Sequence, residues 1–351
     1  MKNSKRIFAL GAAAVMTATL FAGCGPTNSD NGSSSGEGGG ATGTDYKIAV
    51  VPKMTNIGWF QRMEEGVNAY NDENGTNYVY RGSAEGADQA GVVEQLLAED
   101  WDAICVVPFD SESIAPVLEK AKEAGIVVIT HEASSMDPKY FDYDVEAFVN
   151  ADYGTHFAEE LANLTGGEGK YIQFVGDLNS VSHNEWCDAA DEYFAANTNM
   201  VKLGRYETGD DTTSSYNQTK ELLQSNPDIT AIQGSASTDV VGAAQAVEEL
   251  GLSGQVAVVG TSMTSIAEQY VESGTIASFS VWDPAEAGKA MIEMAIAVLD
   301  AKAAGTDLDV STLSLNAVGY ETLTADETNP TVLYGNARVD VTKDNMADYN
   351  F

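Results

Sequence analysis

The stretch Ile48-Ala49-Val50-Val51-Pro52-Lys53-Met54-Thr55-Asn56-Ile57-Gly58-Trp59-Phe60 decides how the rest of the chain is read. Its first four residues form an unbroken apolar run, as in a strand covered on both faces of a parallel sheet. Pro52 ends the run, and Phe60, Met63, Val67 and Tyr70 then recur at helical spacing. The residues between are a loop leading from a strand to a helix, and in open α/β sheets such loops lie at the carboxyl edge, where ligands bind. This loop offers one cation, Lys53, beside two rings, Trp59 and Phe60. Rings with a few polar groups suit a sugar, whose C–H faces stack on aromatics while its hydroxyls need hydrogen bonds. The loop alone is equally compatible with Trp59 and Phe60 as ordinary helix-packing residues and Lys53 as a solvated charge.

Working outward, strands and helices alternate from Tyr46 onward. Strands are expected at Lys47 to Val51, Tyr78 to Arg81, Ala103 to Val107 and Ile126 to Thr130, separated by helices that carry Val92, Val93, Leu96 and Leu97 and then Ile114, Val117, Leu118 and Ala121. After Val149-Asn150-Ala151-Asp152 the alternation restarts, with strands expected near Tyr171 to Val175, Val201 to Leu203, Ala231 to Gly234, Val256 to Gly260 and Ile276 to Ser280. The two halves also repeat a local order: Leu96-Leu97 precedes Asp102-Ala103-Ile104, and Leu222-Leu223 precedes Ile229-Thr230-Ala231-Ile232. The fold class expected is α/β, with two Rossmann-like, doubly wound lobes. Their carboxyl edges would face one another across a cleft that shuts by hinge motion.

The chain begins with Lys2, Lys5 and Arg6, an apolar segment from Ile7 to Leu20, and Phe21-Ala22-Gly23-Cys24. This is the layout of a secretory signal. Small residues directly before a cysteine resemble the bacterial lipoprotein cleavage site, although Phe21 departs from the usual leucine; residues 1–24 are read as signal peptide and Cys24 as the lipidated residue. Residues 25–45, rich in Gly, Ser, Asn and Thr, read as a flexible linker. The body that follows has ordinary apolar content (44% over the whole chain) and enough length for two cores. With 53 acidic against 18 basic residues the net charge is −35, which argues against nucleic acid or an anionic membrane surface as a partner. Beyond Cys24 only Cys105 and Cys187 remain, both read as small buried hydrophobes with no disulfide framework.

From about Tyr46 to Phe351 the chain resembles the type I periplasmic sugar-binding proteins of ABC importers, and within them the branch that holds autoinducer-2-binding and rhamnose-binding proteins. The carriers are Pro52-Lys53 with Gly58-Trp59-Phe60, the Val149-Asn150-Ala151-Asp152 crossover, Asn184-Glu185-Trp186, Val281-Trp282-Asp283 before Gly288-Lys289, and the ending Val341-Thr342-Lys343-Asp344-Asn345 to Asn350-Phe351. The resemblance implies three interlobe crossovers, placed near Val149, Val281 and Leu313. Residues 46–149 and 284–312 would then form the first lobe, and 150–283 and 313–351 the second. It implies a monomer without a cofactor that takes a small sugar or polyol, works with ABC permease subunits, and meets the membrane only through its lipid anchor.

Carried over position by position, the resemblance implies that Lys53, Trp59 and Phe60 line the first lobe's side of the site. Glu132 stands where the family usually has an aspartate that holds sugar hydroxyls, and a carboxylate can grip two vicinal hydroxyls. Ser182 and His183 replace the Asp-Gln expected of an autoinducer-2 binder, so the pocket chemistry has changed. Asn184 can donate and accept beside them, or can be, like His183, a partly exposed residue at a helix start. Ser235 and Ser237 replace a proline and an alanine near the ligand, and Ser262 stands where ribose- and galactose-type binders carry an aspartate. Trp282 and Asp283 fall at the hinge side, where Asp283 meets either ligand or hinge backbone.

Enzyme classes find few parts here. The three histidines, His131, His156 and His183, have no metal-ligand spacing, and there is no Gly-x-Ser-x-Gly elbow or phosphate-cradling loop. A carboxylate pair such as Glu132 with Asp283 is a candidate for glycosidase chemistry, which turns on a separation that only the fold sets. The sequence is read as a non-enzymatic sugar receptor that delivers to an importer. The alternative is a sensory protein that presents sugar or autoinducer-2 to a membrane receptor.

Overall fold

Strand β1 (Ile48–Val51) is buried at every position, and its side chains alternate between two cores, Ile48 and Val50 on one side and Ala49 and Val51 on the other. The computed structural model describes residues 46–351; the signal segment, Cys24 and the linker lie outside the described residues. After β1 come α1 (Gly58–Asn74), β2 (Val79–Tyr80), α2 (Gln89–Leu96), β3 (Ala103–Val106), α3 (Ser111–Glu123), β4 (Val127–Thr130) and β5 (Tyr143–Glu146). The second set is α4 (Asn150–Thr165), β6 (Lys170–Val175), α5 (Val181–Asn197), β7 (Val201–Glu207), α6 (Thr212–Ser225), β8 (Ile229–Gly234), α7 (Asp239–Glu249), β9 (Ala257–Gly260), α8 (Thr264–Ser273) and β10 (Phe279–Val281). The chain closes with α9 (Pro284–Ala304), β11 (Thr324–Ala325), β12 (Val332–Tyr334) and β13 (Val339–Val341).

The first sheet has the order β11-β12-β5-β4-β3-β1-β2 and is parallel except for β11. Val93 and Leu96 of α2 with Ile114 and Leu118 of α3 cover one face, and Phe60, Met63 and Val67 of α1 with Met291, Ala295 and Val298 of α9 cover the other. This is the doubly wound arrangement. The second sheet, β7-β6-β8-β9, is parallel, and bridges from Val258 to Ile276 and from Thr261 to Ser280 lead on to β10, which pairs antiparallel with β13. Local chemistry fixes the helix ends. Asp110 accepts from the Glu112 amide to start α3; Asp283 does so from Ala285 to start α9, with Pro284 at the first position and Gly305 closing it at φ +69. Two glycines permit close helix contacts. A Cβ on Gly154 would lie 2.1 Å from the Trp186 carbonyl oxygen, and one on Gly66 2.3 Å from that of Ala285.

The chain changes sheets after β5, after β10 and after β12. The first two changes lie near Val149 and Val281. The third does not lie near Leu313, because β12 pairs in parallel with β5 and β11 with β12, so residues 324–334 belong to the first sheet. The crossing runs through 335–338, where Gly335 and Ala337 donate to the carbonyls of Glu146 and Ala147 and tie the third connection to the first. The assignment of all of 313–351 to the second lobe is corrected accordingly. The cause is visible in the residues: β5 buries two carboxyls, Asp144 and Glu146, so it does not read as an apolar strand, and β11 and β12 are too short to carry a period. Cys105 and Cys187 are free and buried. Among the described residues no helix is long and apolar enough to cross a membrane.

Candidate functional site

A cleft lies where loops from both sheets converge. Every residue lining it sits just past a strand or in the first turns of a helix. Lys53 follows β1, Trp59 and Phe60 open α1, and Glu132 follows β4; on the other side His183 opens α5, Asp210 follows β7, Ser235 to Ser237 follow β8, Thr261 follows β9 and Trp282 follows β10. These are the carboxyl edges of the two parallel sheets. The apolar wall is an aromatic cluster. Trp59 meets Trp282 edge to face with centroids 4.6 Å apart, and Trp282 lies 5.8 Å from Trp186, which packs on Tyr153 at 4.8 Å. Tyr153 also shares a hydrogen bond with the Thr261 hydroxyl at 3.1 Å.

The polar centre is an ion pair between Lys53 Nζ and Glu132 Oε2 at 2.6 Å, both residues 3% exposed. Burial is the largest single influence and raises the carboxyl pKa, but the Lys53 ammonium, together with His131 and His183, outweighs it and holds Glu132 down to about 2. Ser182, from the second sheet's side, donates to the same Glu132 oxygen at 3.0 Å. Two histidines have definable tautomers. Trp282 Nε1 donates to His131 Nε2, so His131 carries its proton on Nδ1 and donates it to the Val145 carbonyl. His183 Nδ1 accepts from the Gly176 amide at 3.0 Å, which leaves its Nε2–H as a donor. Burial pushes the imidazole of His183 well below its ordinary pKa, so it stays neutral.

The structure thus brings Lys53, Trp59, Phe60, Glu132, His183, Ser235, Ser237 and Trp282 to one cleft, with Ser182 fully buried behind Glu132. It does not bring Asn184 or Asp283 there. Asn184 donates to the carbonyls of Leu178 and Ser180 and accepts from Arg205 Nη1 at 2.6 Å. Asp283 caps α9 and takes both arms of Arg62, at 2.9 and 2.7 Å. The Glu132–Asp283 carboxylate pair therefore has no common site. Ser262 donates to the Ser237 carbonyl and braces that loop. Sequence reading missed Asp210, Thr261 and Trp186 as lining residues. Trp186 lay in a quoted motif, whereas Asp210 sits in the polar run Thr208-Gly209-Asp210-Asp211, which reads as an ordinary turn.

Relatives in sequence include the D-ribose/D-allose-binding protein of Pseudomonas aeruginosa, 30% identical over 234 residues (61% of this chain, 70% of that protein). The D-allose-binding periplasmic protein of Escherichia coli is 27% identical over 269 residues (74% and 85%). Among solved structures, LsrB from Clostridium saccharobutylicum in complex with AI-2 has a TM-score of 0.76 at 22% identity, covering 87% of this chain and 100% of that one. An ABC transporter solute-binding protein from Clostridium phytofermentas with bound L-rhamnose has a TM-score of 0.77 at 20% identity (87% and 98%). These structural likenesses show the fold, that of the type I periplasmic binding proteins. The family model of the periplasmic binding protein domain matches residues 48–303, with two parallel sheets whose carboxyl edges meet at the cleft, and the chain belongs to that family.

Proposed function

We propose that the protein is an extracytoplasmic receptor, held to the membrane by a lipid on Cys24, that captures a small sugar or sugar-like polyol and delivers it to the permease of an ABC importer. It acts as a monomer, without a cofactor and without changing its ligand. The observation that carries this reading is the cleft itself, where rings from Trp59, Phe60 and Trp282 surround a buried Lys53–Glu132 pair with serine hydroxyls opposite. Rings match the C–H faces of a sugar, and a buried carboxylate, ammonium, imidazole N–H and hydroxyls match its O–H groups. The family and the ribose-, allose- and rhamnose-binding relatives support the same ligand class. The lobes are taken as residues 46–147 with 284–334 and 148–283 with 335–351, and ligand would draw them together across the three connections.

A thermal-shift screen of pentoses, hexoses, deoxysugars and autoinducer-2 tests the reading. Ligand at a hundredfold excess over Kd stabilises the native state by about 2.7 kcal/mol, which a melting curve resolves. A shift with one or a few members is expected, with the ligand recovered unchanged. A flat screen overturns the sugar reading, and ligand turnover would make the protein an enzyme.

A further inference from the structure

Among the described residues, only two besides glycine have φ in the left-handed region: Glu132 at +60 and Asp210 at +54. Both are acidic, both line the cleft, and they come from opposite sides of it, one following β4 and the other β7. Such backbone is strained for a residue with a Cβ and persists where the surroundings hold a side chain in a required place. Glu132 has its partners in Lys53 and Ser182. Asp210 is 3% exposed, and its Oδ1 is buried with no hydrogen-bond partner among the described residues. A buried acceptor left unmatched is costly, so its occurrence at the wall of a cleft calls for a matching donor. Gly176 makes the room: a Cβ there would lie 1.9 Å from Asp210 Oδ1.

We propose that Asp210 is a ligand-gripping carboxylate of the second lobe, which accepts hydroxyl hydrogens of a neutral polyhydroxy ligand and forms, with Glu132 of the first lobe, a clamp across the cleft. The proposal rests on the sugar-receptor reading and names the residue that selects the hydroxyl pattern on that side. The charge balance favours hydroxyl donors. Among the described residues lining the cleft Lys53 is the one cation, and Glu132 already pairs with it. The other groups facing Asp210 are Asp177 after β6, Asp239 of α7 and neutral His183 of α5. Asp239 is committed to Thr208 and to the amides of Ser235 and Ala236.

Burial pushes the Asp210 carboxyl up to about 6, so the acceptor form is complete only above neutrality. A ligand that donates to the carboxylate binds the ionised protein, and its affinity falls as pH drops through 6, by about tenfold between about pH 8 and about pH 5. Glu132, held near 2, does not titrate in that window.

Calorimetry with D-ribose, D-allose, L-rhamnose and D-arabinose at about pH 8 and about pH 5 tests this on the wild type and on Asp210→Asn, whose fold is checked by circular dichroism. The expected result is a Kd about tenfold weaker at the lower pH for wild type. Asp210→Asn should lose that dependence and bind at least tenfold more weakly near pH 8. A bound sugar with the same Kd at both pH values overturns the role of Asp210 and leaves the receptor reading intact, as does a slope retained by the variant. Should Asp210→Asn not fold, Asp210→Ser takes its place in the same pH series, because Asp239, pushed up to about 7 by burial, also titrates in this window and only loss of the slope on replacing Asp210 supports its role. If none of the four sugars binds the wild type, the inference falls together with the reading beneath it.

Discussion

Replacing Lys53 by Met should destabilise the protein by about 3 kcal/mol near neutral pH, although methionine is an apolar side chain of similar length entering a buried site. The pair is close, 2.6 Å between Nζ and Oε2, and both side chains are almost wholly buried. At an effective dielectric of about 20 the attraction over that distance is roughly 6 kcal/mol, of which desolvation of the two ions cancels a part. The remainder can be gauged from Glu132, held at about 2 against an ordinary 4.5, a difference of about 3 kcal/mol. In Lys53→Met the Ser182 hydroxyl is the one hydrogen-bond donor left to that carboxylate among the described residues. The double variant Lys53→Met/Glu132→Gln removes both charges and should return to within about 1 kcal/mol of wild type. The pH dependence has a definite sign. In wild type the lowered Glu132 stabilises the fold above about pH 4.5, and this is lost as pH falls toward about 2. In Lys53→Met the unpaired carboxyl titrates higher, so the deficit should shrink on acidification to about pH 5. Urea unfolding of the four proteins of the cycle measures all of this. A cost below about 1 kcal/mol for Lys53→Met, or single-variant costs that simply add in the double, would refute the argument.

Trp59→Ala removes a ring that packs edge to face on Trp282, and affinity should fall by very roughly 2 kcal/mol for every accepted sugar alike; a loss confined to one sugar would show that Trp59 selects rather than stacks. In β5, burial drives the Asp144 carboxyl up to about 6, with Glu185 nearby adding to the rise, and the neighbouring Glu146 is raised further. A raised carboxyl stabilises the fold most below its unfolded pKa and loses that contribution as pH climbs through 6, so melting temperature should be higher near pH 5 than near pH 8. Asp144→Asn should reduce the stability difference between about pH 5 and about pH 8 by roughly 1.4 kcal/mol, and an unchanged difference would exclude Asp144 as its source. Cys24→Ala should move a folded, ligand-binding protein from the membrane fraction to the soluble one, and retention in the membrane would end the lipoprotein reading.

The sequence by itself determined what depends on short-range pattern. An apolar run, a proline and a helical period make β1, its loop and α1 wherever the chain lies, so Lys53, Trp59 and Phe60 were legible as residues of a loop at the sheet's carboxyl edge. Glu132 was legible because it follows another such run, Ile126 to Thr130. The tertiary structure decided everything that depends on which distant residue arrives. Asp283 looked free to meet ligand until Arg62, 221 positions away, closed on it, and Asn184 until Arg205 did. β12 joins the first sheet because β5 is there to pair with it, some 190 residues earlier in the chain, and β5 itself hides two buried carboxyls in a stretch that reads as polar. Asp210 was invisible for the same reason. An aspartate in a polar turn is ordinary, and it becomes exceptional only when Gly176, the cleft and a left-handed backbone bury its carboxyl opposite Glu132. Local periodicity is written along the chain, whereas burial and partnership are properties of segments far apart in sequence, and only folding brings them into contact.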